Sequence, residues 1–462
     1  MSLFKEFNPI SKQEWIDKIN HDLKGKDFNE TLTWKSDEGI IVEPIYHRES
    51  LKGNLSTHFH FPTTSNWIIT ESITISSIQE ANQKALIALK GGASSIQFIG
   101  TVKNANEMQE LLSGIMIEII HVHFYTPSPL LTAQLFNQEI NGRNLKPEQM
   151  KGSITFDFYG NLLTTGQWVN SEKEDLDQLL KLTNETPFKH HIAVNGLNYC
   201  HAGASITQEL AYSLAQAVEY IDQLSNNGMD AQNAAQKMVF NLGIGSNYFF
   251  EIAKLRAFRI LWNLVTETFG FENTPVTINS QSSNYNLATQ DPQTNILRAT
   301  TEAMSAIIGG CNSLSLTPYN AAYEAPSNFT SRVARNIQII LKEEAFLDQV
   351  NDMAKGAYYI ESITDQLVEK SLTLFKEIEA NGGYLANLKN GTIQQQVKEI
   401  SQQKEQAYIH KKRTLLGVNK HINKDAAIHS PIQHPHILHP IIETLPPINL
   451  SQRISNAIAA DV

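Results

Sequence analysis

The stretch HIAVNGLNYCHAGASITQELAYSLAQAVEYI, residues 191–221, joins two periodicities. Residues 191–196 form a short apolar run of strand character. Ile206, Leu210, Leu214, Ala217 and Ile221 then fall on one helical face. Ser205 and Gln208 open that face at the spacing of a capping box. Between the two lie Asn198, Tyr199, Cys200 and His201. In a strand–loop–helix unit, such a junction is where reactive groups are kept.

The same unit recurs along the chain. Runs of strand character stand at 66–73, 94–99, 115–124, 152–158, 191–196, 237–243, 274–279 and 312–316, and each is followed by helical spacing. After the first, Ile78, Ala81, Ala85, Leu86 and Leu89 share a face that Gly91 and Gly92 bring to an end. Eight alternations in about 280 residues predict an α/β chain with a (β/α)8 TIM barrel, whose core is roughly 250 residues long. An open doubly wound sheet also alternates, but no GxGxxG follows the first strand, and LGIGSN (242–247) lacks the third glycine.

The barrel is expected over 61–350, behind an N-terminal helical extension (1–60) and ahead of C-terminal helices and a Pro- and His-rich tail (351–462). In the extension, Ser11 and Glu14 form a second capping box, with Trp15, Ile19 and Leu23 along one side. Helices are predicted at 362–383 and roughly 392–412, and an extended tail over 429–450, where prolines recur. A net charge of −10 argues against nucleic acid as the partner. No apolar run is long enough for a membrane span, and no signal peptide is visible. The two cysteines form no CxxC, so a cytoplasmic location is expected.

The strand ends are polar but poor in acid–base groups. The fourth offers Asp157 and Tyr159, the fifth Asn198 to His201, the sixth Asn241, the seventh an Asn/Gln/Ser-rich loop from Asn279 to Asn286, and the eighth Thr317, Tyr319 and Asn320. Only Asp157 and His201 could serve as general acid or base. Cys200 beside His201 suggests a nucleophile, although neighbours in a loop point apart. His121 and His123 share a strand face, and histidines 429, 434, 436 and 439 crowd the tail; both sets read more simply as non-ligating. Lys254, Arg256, Arg259, Arg332 and Arg335 could grip phosphates, but bridging the helix layer to neighbouring acids or to a partner is the simpler role.

Six stretches resemble the substrate barrel of the methylmalonyl-CoA mutase family. They are LTWKSDEGIIVEPIY (32–46), LGIGSNYFFEIAKLRAFRILW (242–262), SQSSNYNLATQD (280–291), APSNFTSRVARNIQIILKEEA (325–345), KGAYYIESIT (355–364) and LLGVNKH (415–421). The resemblance spans about residues 5–425 and itself implies the barrel. It further implies an acyl-CoA threaded along the barrel axis, adenosylcobalamin at the C-terminal mouth, and a radical rearrangement between methylmalonyl-CoA and succinyl-CoA.

The departures are informative. The family's G-Y-H-x-x-E-A-G reads GLNYCHAG here, placing its His at Asn198 and its Glu at His201. Its later Glu falls at Ala321, a nearby His at Gly310, an Arg at Thr277 and a Trp at Tyr285; the R-Q-Y loop is unmatched. No D-x-H-x-x-G for cobalt is found, and about 40 residues follow LLGVNKH, fewer than a further domain needs. A neutral amide cannot replace a proton donor of tuned pKa. The resemblance is therefore to a non-catalytic or weakly catalytic small (beta) subunit. Such a chain would pair with a large (alpha) subunit as a heterodimer, and adenosylcobalamin would be bound in that partner and not here. Asn198, His201, Ala321 and Gly310 are then relic positions. Gln281, Ser283, Tyr285 and Gln290 are the expected channel residues for an acyl-CoA, with no cofactor or metal ligand in this chain. Two alternatives remain: a competent mutase barrel served by a separate cobalamin-binding chain, and a non-enzymatic acyl-CoA-binding or regulatory barrel.

Overall fold

Eight parallel strands close into a ring: β1 (Ile68–Thr74), β2 (Ser95–Ile99), β3 (His121–Tyr125), β4 (Lys151–Phe156), β5 (His190–Asn195), β6 (Met238–Ile244), β7 (Ile278–Ser282) and β8 (Ser313–Ser315). Closure is made by Ser313, which stands opposite Ile68 of β1 and Asn279 of β7. The computed structural model describes residues 10–51, 62, 66–271, 274–423, 425–427, 429–432 and 439–460. Each strand sends its large apolar residues outward to the helices. Ile96, Phe98, Val122, Phe124, Ile154, Phe156, Phe240 and Leu242 are all buried there. Because the side-chain period is two, that choice of face fixes what points inward.

Both predicted capping boxes are present, Ser11 with Glu14 and Ser205 with Gln208. Gly152 in β4 has φ +136°, and a Cβ there would lie 1.8 Å from the carbonyl oxygen of Val122 on β3, so glycine permits the close approach of the two strands.

Two expectations need correction. Of the run 115–124, only His121–Tyr125 is strand. Ser95, the first residue of β2, already pairs with His121, and nothing lies upstream for Ile115–Ile120 to join. The seventh strand is not 274–279 but Ile278–Ser282, since Pro275 lacks an N–H while the Asn/Ser-rich residues find ladders on both sides. The described residues of the tail, 429–432 and 439–449, are non-helical as expected, and beyond them Leu450–Ala460 is a helix whose Leu450 and Ile454 pack with Ala288, Leu415 and Val418.

The helix Tyr248–Thr268 is covered by Tyr358–Ala380 on its outer side and is buried nearly all round, with Phe240 packed edge-on to Phe258 (4.7 Å) and Trp262 (4.9 Å). Its cations therefore need partners. Lys254 meets Glu209 and Glu251, Arg256 meets Asp352 and Glu361, and Arg259 donates to the carbonyls of Val276 and Gly310. The expected bridge to acids is made by Lys254 and Arg256, while Arg259 is held by carbonyls instead. Arg335 likewise pairs with Glu71 of β1, while Arg332 is exposed. The N-terminal extension is fastened by Asp37 to Arg413 (2.6 and 2.7 Å) and by Glu38, which accepts from the backbone N–H of Ile206. Among the described residues, no helix is long and apolar enough to cross a membrane.

Candidate functional site

Barrels of this kind usually fill their interior with layers of Val, Ile and Leu. Here most inward positions are polar, with Ile99 and Leu197 as apolar members. Thr70, Gln97, His123, Tyr125, Asn195, Asn241, Asn279, Gln281, Ser313 and Ser315 line a cavity of about 230 Å³ that reaches Asn198 at the C-terminal mouth. That is larger than the ~150 Å³ which accommodates a benzene-sized guest. The walls bond to themselves, so the lumen stays open. Ser72 donates to Gln97 (2.9 Å), and His123 Nδ1 lies 2.8 Å from Ser153 Oγ.

One part of this wall is a directed chain. Ser313 Oγ donates to Asn279 (2.7 Å), Asn279 to Asn241 (3.2 Å), Asn241 to Asn195, and Asn195 Nδ2 to Asp157 (2.7 Å). Adjacent strands in register present these side chains at one level, which is why they meet. Asp157 caps the helix Phe158–Thr165 and accepts five hydrogen bonds: from the N–H of Gly160, from Asn195 N–H and Nδ2, from Gln216 and from Tyr220. None of these donors is a cation. Burial pushes its pKa up to about 6, with the hydrogen bonds opposing. Asp157 thus anchors the β4 and β5 ends from behind the wall and does not line the cavity.

Behind β6 lies a second buried polar group. Glu209 accepts from Gly243 N–H (2.7 Å), and Lys254 Nζ reaches Glu209 (3.0 Å), Glu251 (2.5 Å) and the carbonyl of Gly243. Burial raises Glu209 to about 7 against the pull of Lys254, and raises Glu302 to about 8 against its bond from Asn286 (2.8 Å). Cys200 faces Ser283 Oγ (3.4 Å), and burial lifts its thiol to about 12, so thiolate is suppressed there.

The residues singled out from sequence are dispersed. Asn198 lines the lumen. Ala321 stands in an adjoining crevice that shares Thr70, Gln281 and Ser315 with it. His201 closes the short helix Leu197–His201, and its carbonyl accepts from Ile448 N–H (2.8 Å). Gly310 is the left-handed cap of the helix Thr294–Gly309, ahead of β8, and so lies at the end of the barrel away from the mouth. Among the four channel candidates, only Gln281 lines the lumen. Ser283 and Tyr285 line a separate pocket of about 610 Å³ between the extension and the helix Thr392–Ile409, and Gln290 donates to Ser455 of the last helix (3.0 Å). His121 and His123 stack at 6.2 Å, and burial among His121 and His190 drives His123 down to about 3. His429 stacks on Tyr323 (3.9 Å), and the carbonyl of His439 accepts from Gln167; His434 and His436 lie outside the described residues. The wall residues Thr70, Gln97 and Ser313 carried one unused signal, polar side chains alternating with apolar ones along strands.

The tail is laid over the loops that follow β4, β5, β7 and β8. Backbone N–H groups of Ile432, Ile441, Leu445, Ile448 and Leu450 donate to carbonyls of Ala322, Gly166, Leu163, His201 and Tyr285.

Residues 99–437 match the family model described as methylmalonyl-CoA mutase. The methylmalonyl-CoA mutase small subunit of Porphyromonas gingivalis is 34% identical over 91% of this chain and 71% of its own length. The large subunit from the same organism is 28% identical over 84% of this chain and 61% of its own. The methylmalonyl-CoA mutase of Cereibacter sphaeroides is 30% identical over 88% and 64%. The chain thus spans less than two thirds of the latter two relatives.

Proposed function

Since the chain belongs to the methylmalonyl-CoA mutase family, we propose that it is the small subunit of a heterodimeric mutase and that a large subunit carries the chemistry. The observation that carries this reading is the lining of the cavity. Where the family resemblance calls for a proton-transferring His and a carboxylate, Asn198 and Ala321 stand, and the lumen around them holds amides, hydroxyls, two aliphatic side chains and one imidazole, His123, that burial keeps neutral. The greater likeness to a small than to a large subunit of one organism supports the same assignment. Adenosylcobalamin, which the resemblance implies, does not fit the residues present at the mouth. The loops it would rest on are already bonded by Ile432, Ile441, Leu445, Ile448 and Leu450 of this chain, so the cofactor is assigned to the partner.

The test is co-expression with a large subunit. Co-elution of the two at equal stoichiometry is expected; a chain that elutes alone at every ratio overturns the pairing. The open lumen favours a second reading, compatible with the first: the barrel still takes a CoA ester along its axis. Calorimetry with CoA esters reads this directly, and an absence of heat at millimolar ester rejects it.

A further inference from the structure

We infer that the lumen selects a neutral acyl chain and rejects an acyl group ending in a carboxylate; this rests on the reading of the lumen as a CoA-ester channel. The chain from Ser313 through Asn279, Asn241 and Asn195 commits one amide N–H and one carbonyl lone pair of each asparagine to its neighbours. Each asparagine therefore keeps a second N–H and a second lone pair to offer inward. A free N–H suits the carbonyl oxygen of a neutral thioester or amide, while the lone pair beside it repels an anion.

A carboxylate brought into this space loses its water and gains no cation. Among the described residues, none lining the cavity is a lysine or arginine. The only cation on the adjoining crevice is Arg335, which is held by Glu71 and by the carbonyl of Gly91. His123 is kept neutral by burial and by His121 and His190. The charge that does stand close is negative, on Asp157, directly behind Asn195 at 2.7 Å. An unpaired buried anion is strongly disfavoured.

The test compares CoA, propionyl-CoA and succinyl-CoA by calorimetry on the purified chain, or on its complex if it is obtained only with a partner. The nucleotide phosphates are common to all three ligands, so differences report the acyl end. Propionyl-CoA is expected to bind about 100-fold more tightly than succinyl-CoA. Gln97→Arg, which puts a cation in the wall, should cut that ratio below about 10-fold, and Ser315→Arg should do the same from β8, on the other side of β1. Equal binding of the two esters by the unaltered chain overturns the selectivity while leaving the channel intact. Binding of none of the three ligands overturns the channel itself.

Discussion

Replacing Lys254 with methionine probes the buried charge group that holds the end of β6. The ammonium is fully buried, with Glu209 at 3.0 Å and Glu251 at 2.5 Å, both carboxylates nearly as buried. Burial lowers the affinity of Lys254 for its proton, but the two glutamates more than reverse this. Methionine fills the volume and leaves two carboxylates and the Gly243 carbonyl without their donor. Breaking such a group from one side costs about 3–5 kcal/mol. Glu209, whose pKa burial raises, escapes by taking a proton, at about 1.4 kcal/mol for each pH unit above its ordinary value. For one glutamate of ordinary pKa near 4.3, that is about 5 kcal/mol at pH 8 and under about 2 kcal/mol at pH 5.5. The variant should therefore lose about 4 kcal/mol at pH 8 and about 2 kcal/mol or less at pH 5.5. Urea unfolding followed by tryptophan fluorescence at both pH values reads the difference. Adding Glu209→Gln to Lys254→Met should recover part of the loss at pH 8. A deficit below about 1 kcal/mol at pH 8, or one equal at both pH values, would refute the reasoning.

Other consequences are as direct. Gly152→Ala should prevent folding or cost more than about 3 kcal/mol, because the new methyl meets the β3 backbone, and soluble yield checks it. Glu302 has a folded pKa raised to about 8 by burial, so its contribution is fully present below about pH 4.5 and is lost as pH rises through 8. Glu302→Gln should thus gain about 3 kcal/mol on the unaltered chain between pH 5.5 and 8.5; a pH-independent difference in urea midpoints contradicts this. Ile454→Ala removes a fully buried side chain beneath the last helix and should cost about 2–4 kcal/mol locally. Faster amide exchange confined to 450–460 is the expected signature.

The barrel was legible because strand-forming runs and helical stripes alternate without interruption, and because Ser205–Gln208 and Ser11–Glu14 mark helix starts by local chemistry alone. Its interior was not. Asn279 and Ser280 have poor strand propensity; only pairing to both β6 and β8 carries the strand through them, and only ring closure turns Asn279 inward. The bond from Asn195 to Asp157 joins residues 38 apart, a relation no local pattern encodes. Gln290 and Tyr285 were placed in the channel by their neighbours in sequence, yet the last helix and the helix Thr392–Ile409 draw them aside. Gly310 shows the limit of carrying a position over singly: it caps a helix at the far end of the barrel.

The most direct test of a persisting scaffold without its own chemistry is turnover of methylmalonyl-CoA in the presence of adenosylcobalamin, measured with the chain alone and with its large subunit. The account predicts succinyl-CoA only when the large subunit is present, at a rate that Asn198→Ala in this chain leaves unchanged. Conversion by the chain alone, abolished by Asn198→Ala, would contradict it.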